Sequence, residues 1–228
     1  QQAQARIELP LELRNQVARL EIAGERSAGA VQLLDARSQW HRVGLVSGAS
    51  RDLAQPLLGP LYYLERALQP FAELAKTDDA NLAVAVEGLI KRNVSLADVG
   101  KLPKDVHDKL QAWVQKGGVL VRFAGPRLES GGDDLIPSPL RTGGRSLGGA
   151  LSWSTPQPLA AFDETSVFAG LPVPPDVLVN RQVLADPARL GTETKSWARL
   201  RDGTPLVTAR QQGEGQLVLF HVTANSDW

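Results

Sequence analysis

Three polar side chains in this sequence follow short apolar runs, where an α/β protein does its chemistry. Ser47 closes HRVGLVSG (41–48), Asp98 follows VSLA, and Arg127 lies just past VLVRFAG (119–125). In an open parallel sheet, ligands bind beyond the carboxyl ends of the strands, so these residues are expected on one crest. A carboxylate, a guanidinium and a hydroxyl there suit a polar ligand. His221 joins them because it sits near the end of the strongly apolar LVLFHVT. With Asp98 as general base and Arg127 and His221 stabilising charge, the set describes a hydrolase or lyase that needs no cysteine. The plainer alternative has Asp98 capping the turn into the next helix and Arg127 paired with a loop carboxylate.

Several chemistries are excluded. Cysteine is absent, which removes disulfides, thiolate metal sites and a thiol nucleophile. The three histidines, His41, His107 and His221, are scattered without HxH or HExxH spacing, so each is read as structural and no metal is expected. Gly213-Glu214-Gly215 lies within a β pattern and lacks a following helix, so it is a hairpin turn and no nucleotide cofactor is expected. Lysine plus arginine equals aspartate plus glutamate, 25 each, which gives no global field to attract nucleic acid.

The elements that would position the crest read as follows. Residues 6–13, RIELPLEL, alternate like a half-buried edge strand; VARLEI (17–22) and AVQLLD (30–35) are two more. Residues 1–40 thus form a small N-terminal β element, the tail of a preceding β domain. From His41 the character changes to α/β through residue 228. The strand 41–48 is followed by a helix over 58–75, a helix over 78–93, a strand over 94–100, a helix over 102–118 and a strand over 119–125. Strands alternating with helices imply a mainly parallel sheet, here an open three-layer α/β/α sandwich. Residues 126–150, with Gly131-Gly132 and Gly143-Gly144, form a long Gly-rich loop of the kind that carries function. From Ser196 the pattern turns antiparallel, with Asp202-Gly203 and Gly213-Glu214-Gly215 as hairpin turns beside the sheet.

Strand, helix, strand, helix, then GGVLVRFAGPR resembles the class I glutamine amidotransferase-like fold, with its flavodoxin-like layering. More narrowly, IELPLELRNQVARLEI, LADVGKLP, GGRSLGGALSWSTPQPLAAF and DGTPLVTARQQGEGQLVLFHVTANSDW resemble one domain of large bacterial membrane proteins that begin with a BatA-like double-transmembrane region. The resemblance implies a domain anchored at the inner membrane and placed in the periplasm, without itself spanning the bilayer. Its partners would be other domains of the same protein or an envelope complex. The enzymes of the amidotransferase fold carry a cysteine in a Gly-x-Cys-x-Gly elbow and a later His-Glu pair. Here Phe123-Ala124-Gly125 stands at the elbow, and His221 is followed by Val222-Thr223. No catalytic residue carries over. The expectation is a non-catalytic binding or scaffolding domain whose ligand contacts are Ser47, Asp98, Arg127 and His221. The alternatives are the cysteine-independent hydrolase or lyase above and a glycan-binding module, which aromatic residues near Trp153 would favour.

Overall fold

A computed structural model describes residues 7, 9–35, 40–48, 59, 61–78, 80–91, 93–141 and 150–225, with the backbone alone for residues 11, 12 and 150–154. Among the described residues the first element is a helical turn, α1 (Leu11–Arg14), where the strand over residues 6–13 was expected; residues 6 and 8 lie outside the described residues. Pro10 accounts for the difference. It has no N–H for a ladder, and its carbonyl accepts the Arg14 N–H at 2.8 Å to start the turn. Strands β1 (Arg19–Glu21) and β2 (Val31–Leu33) pair antiparallel as a separate, exposed ribbon. Asn15 ties this region to the main sheet: its amide donates to the Trp40 carbonyl at 2.8 Å and accepts the Trp40 N–H at 2.9 Å.

The alternating elements follow: β3 (His41–Ser47), α2 (Tyr62–Leu68), β4 (Ala72–Asp78), α3 (Leu82–Leu89), β5 (Asn93–Ala97), α4 (Lys104–Gln115) and β6 (Val119–Phe123). The helix expected over 58–75 therefore ends early, and residues 72–78 form a strand. Its sequence, AELAKTD, has weak strand propensity, but seven residue pairs of parallel ladder with β3 override that preference. After β6 come α5 (Pro126–Ser130), β7 (Ala150–Pro158), β8 (Leu178–Val183), β9 (Lys195–Arg199), β10 (Pro205–Gln212) and β11 (Gly215–Phe220).

Seven strands form one sheet in the order β4-β3-β5-β6-β11-β10-β9. The first five lie parallel, β10 runs antiparallel to both neighbours, and β7 and β8 make a separate antiparallel ribbon. The chain is thus a mixed α/β protein with a mostly parallel central sheet. The expected C-terminal hairpins are present, and β11 is an interior strand because it also pairs parallel with β6.

Helix α4 shows how the pattern folds. Val106, Leu110 and Val114 recur every four residues, which places them on one stripe. All three are fully buried with Leu120 and Leu217 of the central strands and with Leu82, Val86 and Leu89 of α3. Helix α2 packs Leu64 and Leu68 on Val43 and Leu45 from the opposite face of β3. The Gly-rich loop is partly core: Leu135, Ile136, Ser138 and Leu140 are buried, while residues 142–149 lie outside the described residues.

The end of α4 meets the sheet so closely that only glycine fits at Gly215. A Cβ there would overlap the carbonyl oxygens of Val114 and Gly118, which are backbone atoms and cannot swing aside. Gly215→Ala is therefore expected to destabilise the fold by about 2–3 kcal/mol through overpacking. A urea midpoint equal to that of the parent protein would show that α4 is not seated this tightly.

Candidate functional site

The crest of the sheet is built around two charged groups. Arg122, near the end of β6, is 1% exposed. One terminal nitrogen donates to Asp133 Oδ1, and the other donates to the carbonyls of Val99 at 2.8 Å and Gly100 at 3.0 Å. Asp133 in turn accepts the N–H of Leu102 at 3.2 Å and of Leu135 at 3.1 Å. Burial pushes the Arg122 guanidinium below its ordinary pKa, and the charge of Asp133 and its hydrogen bond pull it back up. The Arg122 Nε alone has no partner. One signal of this pair was present in the sequence: a lone arginine in an apolar central strand, VLVRF, must find a counter-charge.

Asp98 closes the turn after β5. Among the described residues it is the one non-glycine with positive φ, at 49°. That conformation, tolerated by aspartate, turns its carboxylate to the start of α5, where Oδ1 accepts the N–H of Arg127 at 3.0 Å and of Leu128 at 3.1 Å. Asp98 is a cap, as the plainer reading held, but of α5 and not of the helix that follows it in sequence. Burial raises its pKa, against the lowering effect of those N–H donors and of the nearby Arg127 charge.

Two glycines accommodate Asp98. A Cβ on Gly48 would overlap the Asp98 carbonyl, and a Cβ on Gly125 would lie 2.5 Å from its Cγ. Strand β3 leads outward to β4, while β5 leads the other way to β6, so the winding reverses between β3 and β5. That crevice is where an open α/β sheet ordinarily binds its ligand. Here the Asp98 backbone sits against Gly48, and the Asp98 side chain fills the space above Gly125. A hollow of about 80 Å³ remains beside the elbow, lined in part by Gly125, Glu129, Gln182 and Thr223. At roughly 30 Å³ per molecule it has room for two or three waters.

Of the four ligand contacts expected from the sequence, the structure brings Asp98 and Arg127 together, the Arg127 backbone N–H bonding the Asp98 carboxylate. Ser47 is buried at the end of β3, and Arg127 is exposed on α5. His221 is fully buried just past β11, where Nδ1 donates to the Val183 carbonyl at 2.8 Å and Nε2 accepts from the Thr208 hydroxyl at 3.0 Å. Burial depresses its pKa to about 4, only partly offset by the Val183 bond, so the ring is neutral. Asp98 and His221 thus spend their hydrogen bonds on different partners. The structure does group His107, Asp133 and Asp134, whose ligand atoms lie within 4.8 Å of one another. Asp133 already neutralises Arg122 there, and a cation would face that buried guanidinium. Burial works against charge on His107, but the Asp134 bond at 2.6 Å and the Asp108 bond prevail and raise its pKa.

A larger space lies on the sheet face opposite α4. It is a cavity of about 640 Å³, with Phe123 of β6 and Phe220 of β11 in its wall. These two residues face each other in the β6–β11 register and stack at 4.6 Å with their planes 15° apart. Sequence reasoning missed it because its walls come from five separated stretches of chain. Trp153, the residue on which a glycan platform was considered, lies among those described by backbone alone.

No family model matches this chain, and no curated protein sequence matches it. Solved structures do resemble it. Two cytoplasmic proteins of Salmonella typhimurium superpose with TM-scores of 0.60 and 0.62 at 11% and 12% identity, over 82% of this chain and 89% and 90% of theirs. A ThuA-like protein of Parabacteroides merdae superposes with a TM-score of 0.52 at 15% identity, over 82% of each chain. At these identities the likeness is one of fold. The membrane-anchored, periplasmic placement implied by the sequence resemblance is corrected on this point: the two Salmonella structures bear the name cytoplasmic protein. No helix among the described residues is long and apolar enough to cross a membrane.

Two outcomes follow from the buried charges. Asp133→Ala strands the Arg122 guanidinium and is expected to destabilise the protein by about 3–5 kcal/mol, whereas Arg122→Met with Asp133→Leu recovers most of that loss. Urea unfolding of the two variants checks it, and equal losses in both would refute the pairing. The depressed pKa of His221 contributes stability that is fully present above the ordinary value of 6.5 and is lost as pH falls toward about 4. Between pH 7 and pH 5 the parent is expected to lose about 2 kcal/mol from this group. His221→Asn, less stable at pH 7, should lose that part of the slope; an unchanged slope would place the titration elsewhere.

Proposed function

We propose that this chain is an amidotransferase-like α/β/α domain that does no chemistry at its elbow and serves as a binding module. One observation carries the reading: the volume a nucleophile would occupy at Gly125 is filled by the Asp98 carboxylate, 2.5 Å from where a Cβ would stand. An amidotransferase elbow needs a side chain at the tip of this strand, with a base within hydrogen-bonding reach. Phe123, Ala124 and Gly125 offer none, and the neighbouring hollow of about 80 Å³ is small for an amino-acid substrate.

The cysteine-free hydrolase reading draws little support from the same geometry. A general base must reach a proton on a bound substrate. The Asp98 carboxylate is held by two backbone N–H groups of α5. The ring nitrogens of His221 are both engaged inside the core. What supports binding instead is the contrast between a filled crest and an open, apolar cavity beside it.

The test is direct. The parent protein is expected to release no ammonia from glutamine. Gly125→Cys should also release none and should be destabilised by about 1–3 kcal/mol from overpacking against Asp98. Adding Asp98→Gly, which suits the positive φ at that position, should recover part of the loss as a favourable coupling between the two sites. Ammonia release by the parent protein would overturn the reading.

A further inference from the structure

The two faces of the central strands are treated differently. On the α4 side, Leu120 and Leu217 are fully buried under fully buried helix residues. On the other side, Phe123 and Phe220 border open space of about 640 Å³. Protein interiors pack about as densely as organic crystals, and a void in apolar surroundings forfeits dispersion contacts. The lining is made of well-packed elements nonetheless: Ala198 on the edge strand β9 and Val207 on β10 are 5% and 2% exposed. The volume falls within the range of small-molecule sites, about 300–1,000 Å³, and so does the mix of apolar walls with few polar groups.

The walls specify what fits. The stacked Phe123–Phe220 pair forms one side, and Phe162 and Phe168, with centroids 5.4 Å apart, form another. Flat rings pack well against such faces. Among the described residues, Asp176 is the only charged side chain in the lining, and none of them is a lysine, arginine or histidine. Asp176 is itself exposed, so its carboxylate marks the solvent side of the space, where it favours a cation and repels an anion. Thr223 also lines the space, and its hydroxyl oxygen is buried without a hydrogen-bond partner.

We infer that this cavity binds a small molecule with a flat aromatic body and either no charge or a positive one, its rings among the four phenylalanines and its polar end toward Asp176. The inference rests on the reading of the domain as a binding module and names the ligand class of that module.

The experiment uses the whole chain and three naphthalene compounds. N-phenyl-1-naphthylamine, uncharged and fluorescent in apolar surroundings, is titrated first; saturable binding at one site is expected. It is then displaced by 1-naphthylmethylamine, a cation at neutral pH, and by 1-naphthaleneacetate, an anion with the same rings. The cation should compete at least about tenfold better. Asp176→Asn should remove most of that preference. Ala67→Trp places an indole into the cavity from an exposed position on α2, where folding tolerates it, and should weaken probe binding at least about tenfold. Absence of saturable binding, equal competition by the anion, or full probe affinity in Ala67→Trp would each overturn the inference. Those failures leave the glutamine result untouched, and ammonia release would sink the non-catalytic reading without altering probe binding.

Discussion

The guanidinium of Arg122 organises the crest on which the rest of the molecule depends. It stands near the end of the strand at the centre of the sheet, almost wholly out of water, and can be charged there only because Asp133 faces it. Its remaining terminal donors hold the carbonyls of Val99 and Gly100, in the turn between β5 and α4. Asp133 fixes the N–H of Leu102 and Leu135 on its other sides. One ion pair thereby joins a strand, the entry to a helix and the stretch after α5. Its net contribution to stability need not be large, because desolvating two charges offsets much of their attraction. What it supplies is geometry: with either partner missing, a buried charge would be left unpaired.

That geometry determines what the neighbouring residues can do. With the Val99–Gly100 turn held by Arg122, Asp98 stands immediately before it with positive φ and its carboxylate aimed at α5. The carboxylate then requires glycine at 125, and the Asp98 backbone requires glycine at 48. Each constraint is local and steric. Together they fill the crevice where an open α/β sheet keeps its ligands and leave the elbow without room for a side chain. The difference from an amidotransferase elbow is therefore more than the absence of a cysteine, since the volume itself is occupied.

The parts of this arrangement that were legible in the sequence are those set by periodicity. The stripe Val106-Leu110-Val114 declared α4, and the apolar runs before Ser47, Asp98 and Gly125 declared three parallel strands. The capping role of Asp98 was also within reach, though the helix it caps begins 28 positions later, at Pro126. Strand β4 was hidden because AELAKTD looks helical until β3 lies beside it. The partner of Arg122 could not be read, since Asp133 and Asp134 are adjacent in sequence and only the fold turns one inward. The cavity was likewise invisible. Phe123 and Phe220 lie 97 positions apart and become a stacked pair only through the β6–β11 register.

The same register links the filled crest to the open face. Alternation along β6 sends Arg122 to the α4 side and Phe123 to the other. Burying Arg122 against Asp133 commits one face at this level to polar bonds, and Phe123 is left to meet Phe220 on the opposite face. The neighbours of that ring pair are strand residues such as Val207 and Ala198 and the segments carrying Phe162 and Phe168. Among the described residues the helix beside this space is the short α2, through Tyr63, Leu64 and Ala67, and the C-terminal strands pack against Leu159, Phe162 and Phe168 from the stretch around β7 and β8. An aromatic-walled cavity beside a sterically closed elbow thus follows from one alternation in one strand. A single-residue slip of β6 would exchange the two faces, burying Phe123 where Asp133 waits for a cation.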